Sequence, residues 1–376
     1  MRRRTLLAAS TALLAGAGAY ELDRQRLLRS RDADPEWWEL NTPLDGRAVE
    51  VTSADGTRIH AEVHGPDDAP TVLLVPGWLE SLDLWHHQIR ALRDEFRVIA
   101  YDLRGHGASG LPPSRDAYTA QALGDDLQAV LQALLPAGEP CLAVGHSMGG
   151  MSIVAWAGQH PEDVHLRFAG AVLLNTGLSE FIDRATVLGD AVGAQVHRAA
   201  HRSLLATEVV WPTWLERGGF FLVRRAAFGP GASAAQVAFA HRMFVTTSRQ
   251  ARAGFGRLFL TLDLESSVSS LTVPAAVIAG RSDRLLPPWY AEQLAAKLPD
   301  LVEYVELSES GHTSLLEEAD RVSMHIGRMA RACLLVRPAA VQDAEGEHTE
   351  SSPSRLRRRR RAQAPADEVQ PDAASG

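Results

Sequence analysis

Only two of the 376 residues are cysteine, Cys141 and Cys333, so no disulfide framework can hold this chain together. Both lie in apolar surroundings, one in a strand-like run and one in a late helical stretch, and read as small buried hydrophobes. Positive charge is not in excess. The formal net charge is -8, which offers no electrostatic reason to expect a nucleic-acid partner. No apolar run reaches the roughly 20 residues that a membrane-crossing helix needs; the candidate near the start covers only residues 5–19. Histidines, cysteines and carboxylates do not recur at metal-ligand spacing, and the adjacent His86 and His87 would face different sides of a helix. Neither a metal nor a cofactor is therefore expected. What remains is ordinary globular composition, 45% hydrophobic and 22% charged, at a length that accommodates one large α/β domain plus tails or an insertion.

The two ends differ from the middle. Arg2, Arg3 and Arg4 precede the apolar run, and Ala17-Gly18-Ala19 forms a small-residue cleavage pattern before Tyr20, so residues 1–29 are expected to be an export signal or an anchor. Arg3-Arg4 loosely resembles a twin-arginine signal. An uncleaved segment would associate the protein with a membrane, and a cytoplasmic location is the alternative. Residues 337–376 are rich in Ala, Glu, Ser, Pro and Arg and poor in large apolar residues, so they are expected to be disordered. The run Arg357 to Arg361 reads as a solvated tail.

Between these ends, residues 30–45 are polar with paired Trp37 and Trp38, and read as a linker. Two alternating runs around Asp55-Gly56 then predict a β-hairpin. Strand and helix patterns alternate from there: strands at 71–75, 97–101, 141–144 and 168–174, and helices at 82–93, 119–135 and 147–159. Such alternation predicts a mostly parallel sheet with helices on both faces. The rhythm breaks over 177–270, which holds no convincing strand but many large apolar residues, among them Trp211, Trp214, Phe228, Phe239 and Phe259; it reads as a helical insertion. A strand at 273–279, a helix at 289–297, a strand at 302–307 and a closing helix at 315–336 complete the pattern. The core is thus expected in two parts, 46–176 and 271–336.

Chemistry concentrates at Gly145-His146-Ser147-Met148-Gly149, a Gly-x-Ser-x-Gly match flanked by a strand before and a helix after, the context in which a tight turn presents a serine hydroxyl. A serine hydroxyl needs a base, and that base needs an orienting acid. Asp283 follows the strand at 273–279 and His312 follows the strand at 302–307, so both fall at the carboxyl edge of the sheet with Ser147. Ser147, Asp283 and His312 are the expected catalytic residues. Rival roles exist: Asp283 could cap the helix near Pro287, Asp263 or Glu265 could be the acid, and His86, His87, His106, His160 and His165 compete with His312 but read as structural or solvated histidines. For the oxyanion, the backbone N–H of Met148 and that of Trp78, in the loop Pro76-Gly77-Trp78-Leu79, are the expected donors.

These residues, with Tyr101-Asp102-Leu103-Arg104-Gly105-His106-Gly107-Ala108-Ser109, Gly280-Arg281-Ser282-Asp283 and Gly311-His312, resemble the α/β-hydrolase fold family, in particular its Ser-His-Asp hydrolases with a helical cap. The resemblance runs over roughly residues 49–335. It implies an eight-stranded sheet with the cap, here 177–270, inserted after the sixth strand. Many relatives carry His-Gly where this chain has Pro76-Gly77, which implies loss of side-chain support for that loop. The epoxide-hydrolase and haloalkane-dehalogenase branches place an aspartate where Ser147 stands. The expected function is serine hydrolysis of a small to medium apolar carboxylic ester through an acyl-enzyme. Alternatives are carbon–carbon bond hydrolysis, amide or lactone cleavage, cofactor-free haloperoxidation, acyl transfer, or a ligand-binding protein with little turnover.

Overall fold

The hairpin opens the sheet. Strand β1 (Arg47–Thr52) pairs antiparallel with β2 (Arg58–His64), Val49 opposite Ala61, across a turn in which Gly56 takes φ 85° and Asp55 accepts bonds from the Thr57 backbone and hydroxyl. Only a residue without Cβ adopts that backbone at no cost. The structure, a computed structural model, describes residues 25, 29–136, 138–181 and 213–335, with 213–218 by backbone alone. The expected signal or anchor at 1–29 (apart from residues 25 and 29), part of the insertion including Trp211, and the expected tail at 337–376 lie outside the described residues.

Six further strands follow: β3 (Thr71–Val75), β4 (Arg97–Tyr101), β5 (Cys141–His146), β6 (Phe168–Leu174), β7 (Ala275–Gly280) and β8 (Leu301–Leu307). Their order in the sheet is β1-β2-β4-β3-β5-β6-β7-β8, and only β2 runs against its neighbours. Strands β3, β4, β5 and β7 are buried along their whole length, as parallel strands covered on both faces must be. Alternate residues serve opposite faces. Leu73, Ile99, Ala143, Leu173 and Val277 enter one core, with Leu123 and Leu127 of helix α3 (Ala120–Leu134); Leu74, Val98, Val144, Val172 and Ile278 enter the other, with Ile89 of α2 (His86–Leu92).

The chain steps from β3 outward to β4 and then returns to the other side of β3 for β5, so the topological switch lies between β3 and β5. Ligands of open α/β sheets bind outside the carboxyl ends of strands at such a switch. The loops that follow β3 and β5 are those of Trp78 and Ser147.

Two expectations need correction. Residues 30–45 are more than a linker: α1 (Pro35–Leu40) starts there, capped by Asp34 and opened by Pro35 at its first turn, and it buries Leu40. Glu36 ties it to the insertion by accepting from Ser233 and Gln236. The closing helix is not continuous, because Glu318 leaves helical geometry at φ -125°, ψ 50° between a single turn (Ser314–Glu317) and the helix Ala319–Ala330. The side chain of Glu317 explains the interruption. It accepts from the backbone of Gly229 and Gly311, which holds that first turn to neighbouring loops. Within 177–270 the described helices are Thr213–Ala227, Ala234–Thr246 and Arg249–Leu258, the second with a reciprocal Ser233–Gln236 capping box. No helix among the described residues is long and apolar enough to cross a membrane.

Candidate active site

Ser147 sits between β5 and the helix Met148–Gln159 with φ 50° and ψ -116°, a conformation that an L-residue holds only when its surroundings impose it. They do so from both sides. The Ser147 N–H donates to Leu174 O at 2.9 Å, and Thr176 donates its hydroxyl to Ser147 O at 2.7 Å. A Cβ on Gly145 would press on the backbone of Gly149 and Gly150, and one on Gly149 would collide with the Val75 carbonyl. The glycines flanking the serine are therefore dictated by close backbone approach.

The Asp283 carboxylate meets His312 Nδ1 at 2.7 Å. Its other oxygen accepts from the backbone of Leu285 at 2.9 Å and Leu286 at 2.8 Å, so the acid is fixed by its own loop and does not cap the following helix, whose first turn it does not reach. With Nδ1 engaged by a carboxylate, His312 Nε2 is the nitrogen left to handle a proton. Among the described residues no hydrogen bond joins the Ser147 hydroxyl to His312. The two loops are nonetheless linked through the neighbouring His146, whose ring lies 4.9 Å from that of His312 and whose Nε2 is 2.8 Å from the His312 carbonyl.

The loop after β3 is held more firmly than its Pro76-Gly77 sequence implies. Glu80 accepts from the Gly77 N–H, and His106 Nε2 accepts from the Leu79 N–H at 3.1 Å. His106 is wholly buried, which pushes its pKa down to about 4, so it is neutral; Nδ1 carries the proton toward Arg104 O and Nε2 is free to accept. The expected loss of side-chain support is thus corrected, with Glu80 and His106 supplying it. Leu79 takes φ 68°, and between the two bonded amides the Trp78 N–H has no acceptor among the described residues; neither has the N–H of Met148, the first residue of its helix. The Trp78 ring stands edge-on to Phe259 at 5.2 Å, and Phe259 in turn meets Phe181 at 5.8 Å. These rings form an apolar cluster that joins the loop after β3 to the insertion.

Several side chains of this site carry no motif that marks them in the sequence. Asn175 bridges Asp283 Oδ2 and Gly311 O, each at 3.1 Å, and accepts from Ser314. An asparagine directly after β6 was a readable signal, since this residue type tolerates the left-handed backbone it adopts at φ 45°. Glu317 is the second case. Burial pushes its carboxyl up to about 7, despite bonds from Gly229, Gly311 and Thr313 that favour the charged form. Glu80 and His146 are the third and fourth, and no spacing rule pairs residues so far apart.

Of the rival residues, His106 supports the loop after β3, and those of the insertion and of the helix ends lie elsewhere. Asp263 accepts from the Glu265 backbone, Glu265 pairs with Ser179 and Lys297, His165 meets Thr272, and His160 packs on Trp156. The fold does gather His160, Glu162 and Asp163, whose ligand-type atoms lie within 4.8 Å of one another, a grouping that the linear spacing did not single out.

Residues 70–202 match the family model described as alpha/beta hydrolase fold. The chain is 31% identical over 269 residues to "Putative carbamate hydrolase RutD" of Variovorax paradoxus, covering 69% of this chain and 91% of that protein. It is 36% identical over 118 residues to mouse epoxide hydrolase 4, covering 31% of this chain, and it spans only 32% of that relative's length. Among solved structures, an esterase from a Rhodococcus species superposes with a TM-score of 0.61 at 26% identity, over 76% of this chain and 99% of that one. The chain belongs to the α/β-hydrolase fold family.

Proposed function

We propose that the protein is a serine hydrolase acting on carboxylic esters through an acyl-enzyme. The observation that carries this reading is the short Asp283–His312 bond at the sheet edge where Ser147 occupies its strained turn. In the proposed cycle His312 Nε2 takes the Ser147 proton as Oγ attacks the acyl carbon, and Asp283 stabilises the resulting imidazolium. The tetrahedral oxyanion is received by the N–H groups of Trp78 and Met148, neither of which has an acceptor among the described residues. His312 then returns the proton to the leaving alcohol, and a water activated by the same imidazole releases the acid.

The ring cluster of Trp78, Phe259 and Phe181 favours an apolar acyl or alkyl group of small to medium size, with 177–270 acting as the cap. A carbamate or amide would follow the same acyl transfer, and the likeness to a protein named for carbamate hydrolysis makes it the second reading. The serine at position 147 argues against epoxide opening, which in the resembling branches uses an aspartate there.

Purified protein should hydrolyse short p-nitrophenyl esters, and a fluorophosphonate probe should label Ser147. Ser147→Ala should lose both properties while keeping the wild-type circular dichroism. Ester turnover that persists in this variant rejects the reading, and labelling without turnover on any ester or carbamate favours a binding role.

A further inference from the structure

His146 is wholly buried, and each of its ring nitrogens faces an acceptor: Nδ1 lies 2.9 Å from Glu80 Oε2 and Nε2 lies 2.8 Å from the His312 carbonyl. A neutral imidazole has one N–H and can satisfy only one of them. The carbonyl never donates, so Nε2 must carry a proton. Nδ1 then either carries a second proton toward a Glu80 carboxylate or accepts one from a Glu80 carboxylic acid. The same Glu80 oxygen also receives the Gly77 N–H, and two donors converging on one oxygen favour the anion. Burial, the largest single influence, would lower the His146 pKa, yet the net displacement is upward because the Glu80 carboxylate, the His312 carbonyl and the Asp283 charge together outweigh it. The other titratable groups near this ring are His312, with its ring at 4.9 Å, and Asp283, whose charge also favours the imidazolium.

We propose that Glu80 and His146 form a buried carboxylate–imidazolium pair that positions the oxyanion loop against the backbone of the general base. Glu80 holds Gly77, the residue before the donor Trp78; His146 holds the carbonyl of His312 and is itself the residue before Ser147. The doubly protonated ring thus ties together the three segments that supply donor, nucleophile and base. Both residues act through their neighbours and touch no substrate. The inference rests on the serine-hydrolase reading, and its test separates the two.

Glu80→Gln preserves shape but removes the charge: the single position that meets both the Gly77 N–H and His146 Nδ1 becomes either a neutral amide oxygen, which no longer sustains an imidazolium, or an NH₂, which opposes the Gly77 N–H, so the pair is lost either way. The expected result is a fall in kcat of about tenfold or more with KM nearly unchanged, since a misplaced oxyanion donor is felt in the transition state. Affinity for a trifluoromethyl ketone, which forms a tetrahedral adduct, should fall in parallel, while fluorophosphonate labelling of Ser147 still goes to completion. In the wild type, ¹⁵N spectra assigned with His146→Gln should show both His146 nitrogens protonated at the pH of maximal activity. A single protonated nitrogen there, or Glu80→Gln with unchanged kcat and ketone affinity, overturns the proposal. If the variant does not fold, the wild-type spectrum decides alone. Failure of the probe to label wild-type Ser147 would instead count against the serine reading, and the spectrum would still report on the pair.

Discussion

Gly77 and Ser147 are in such close approach that a Cβ built on the glycine would stand 3.0 Å from the Cβ of the serine and 2.6 Å from the Glu80 carboxylate. The loop that offers the Trp78 amide is thus packed directly against the nucleophile turn. Gly77→Ala should push this loop away from Ser147 and lower kcat/KM for p-nitrophenyl butyrate by about 10²-fold, the usual loss when one oxyanion donor is displaced. Far-ultraviolet circular dichroism should be unchanged, and full activity in this variant would contradict the placement.

Asp283→Asn retains the size of the side chain, and its carbonyl oxygen can still accept from Leu285 and Leu286. Its amide nitrogen would then face His312 Nδ1 and favour the tautomer with the proton on Nε2, which cannot accept from serine. Turnover should drop by on the order of 10³- to 10⁴-fold with little change in thermal stability. A drop of less than tenfold would argue that another acid orients His312.

Glu317 makes stability depend on pH. Its folded pKa is raised from 4.5 to about 7, so the native state holds this proton more tightly than the unfolded chain does. The resulting stabilisation is fully present below pH 4.5 and is lost as pH rises toward 7, up to roughly 3 kcal/mol in all. Urea unfolding of Glu317→Gln should show this part of the pH dependence removed between those limits. At neutral pH the variant still loses one acceptor for the Gly229 or Gly311 amide, which costs about 1 to 3 kcal/mol against the relief of a buried charge.

Arg104 and Asp126 form a bidentate pair with both side chains buried, Nε to Oδ2 at 2.7 Å and a terminal nitrogen to Oδ1 at 2.6 Å. Arg104 also donates to Asp55 and to the Ala117 carbonyl. Asp126→Ala leaves that guanidinium short of its buried partner and should cost about 3 to 5 kcal/mol in denaturant unfolding. Replacing both residues, as Arg104→Met with Asp126→Leu, should cost markedly less than the single change. Equal losses would show that the charge pair itself supplies the stability.

Much of the architecture could be read in advance because it rests on local rules. The Asp55-Gly56 turn, the fully apolar runs of β3, β4, β5 and β7, and the break after β6 each carry a short-range signal of strand, turn or helix. The helix at Pro35–Leu40 was legible too, through Asp34 and Pro35, but the polar surroundings and paired tryptophans masked it. The break at Glu318 was not, since the preceding turn is tied through Glu317 both to Gly311 six residues before it and to Gly229 in the insertion, 88 residues away.

From its amino acids alone the chain determined an alternating α/β order and a serine in a Gly-x-Ser-x-Gly turn, with an aspartate and a histidine following on later strands, because periodicity and glycine placement act over a few neighbouring residues. Tertiary structure alone decided that Glu80 would take over the support of the Pro76-Gly77 loop, that His146 would lie between a carboxylate and the His312 carbonyl, and that Asn175 would bridge Asp283 and Gly311. The Glu80 bond to Gly77 is local, but the others join residues 66 to 166 positions apart, and the saturation of buried donors and acceptors that selects them exists only once the sheet has brought the loops together.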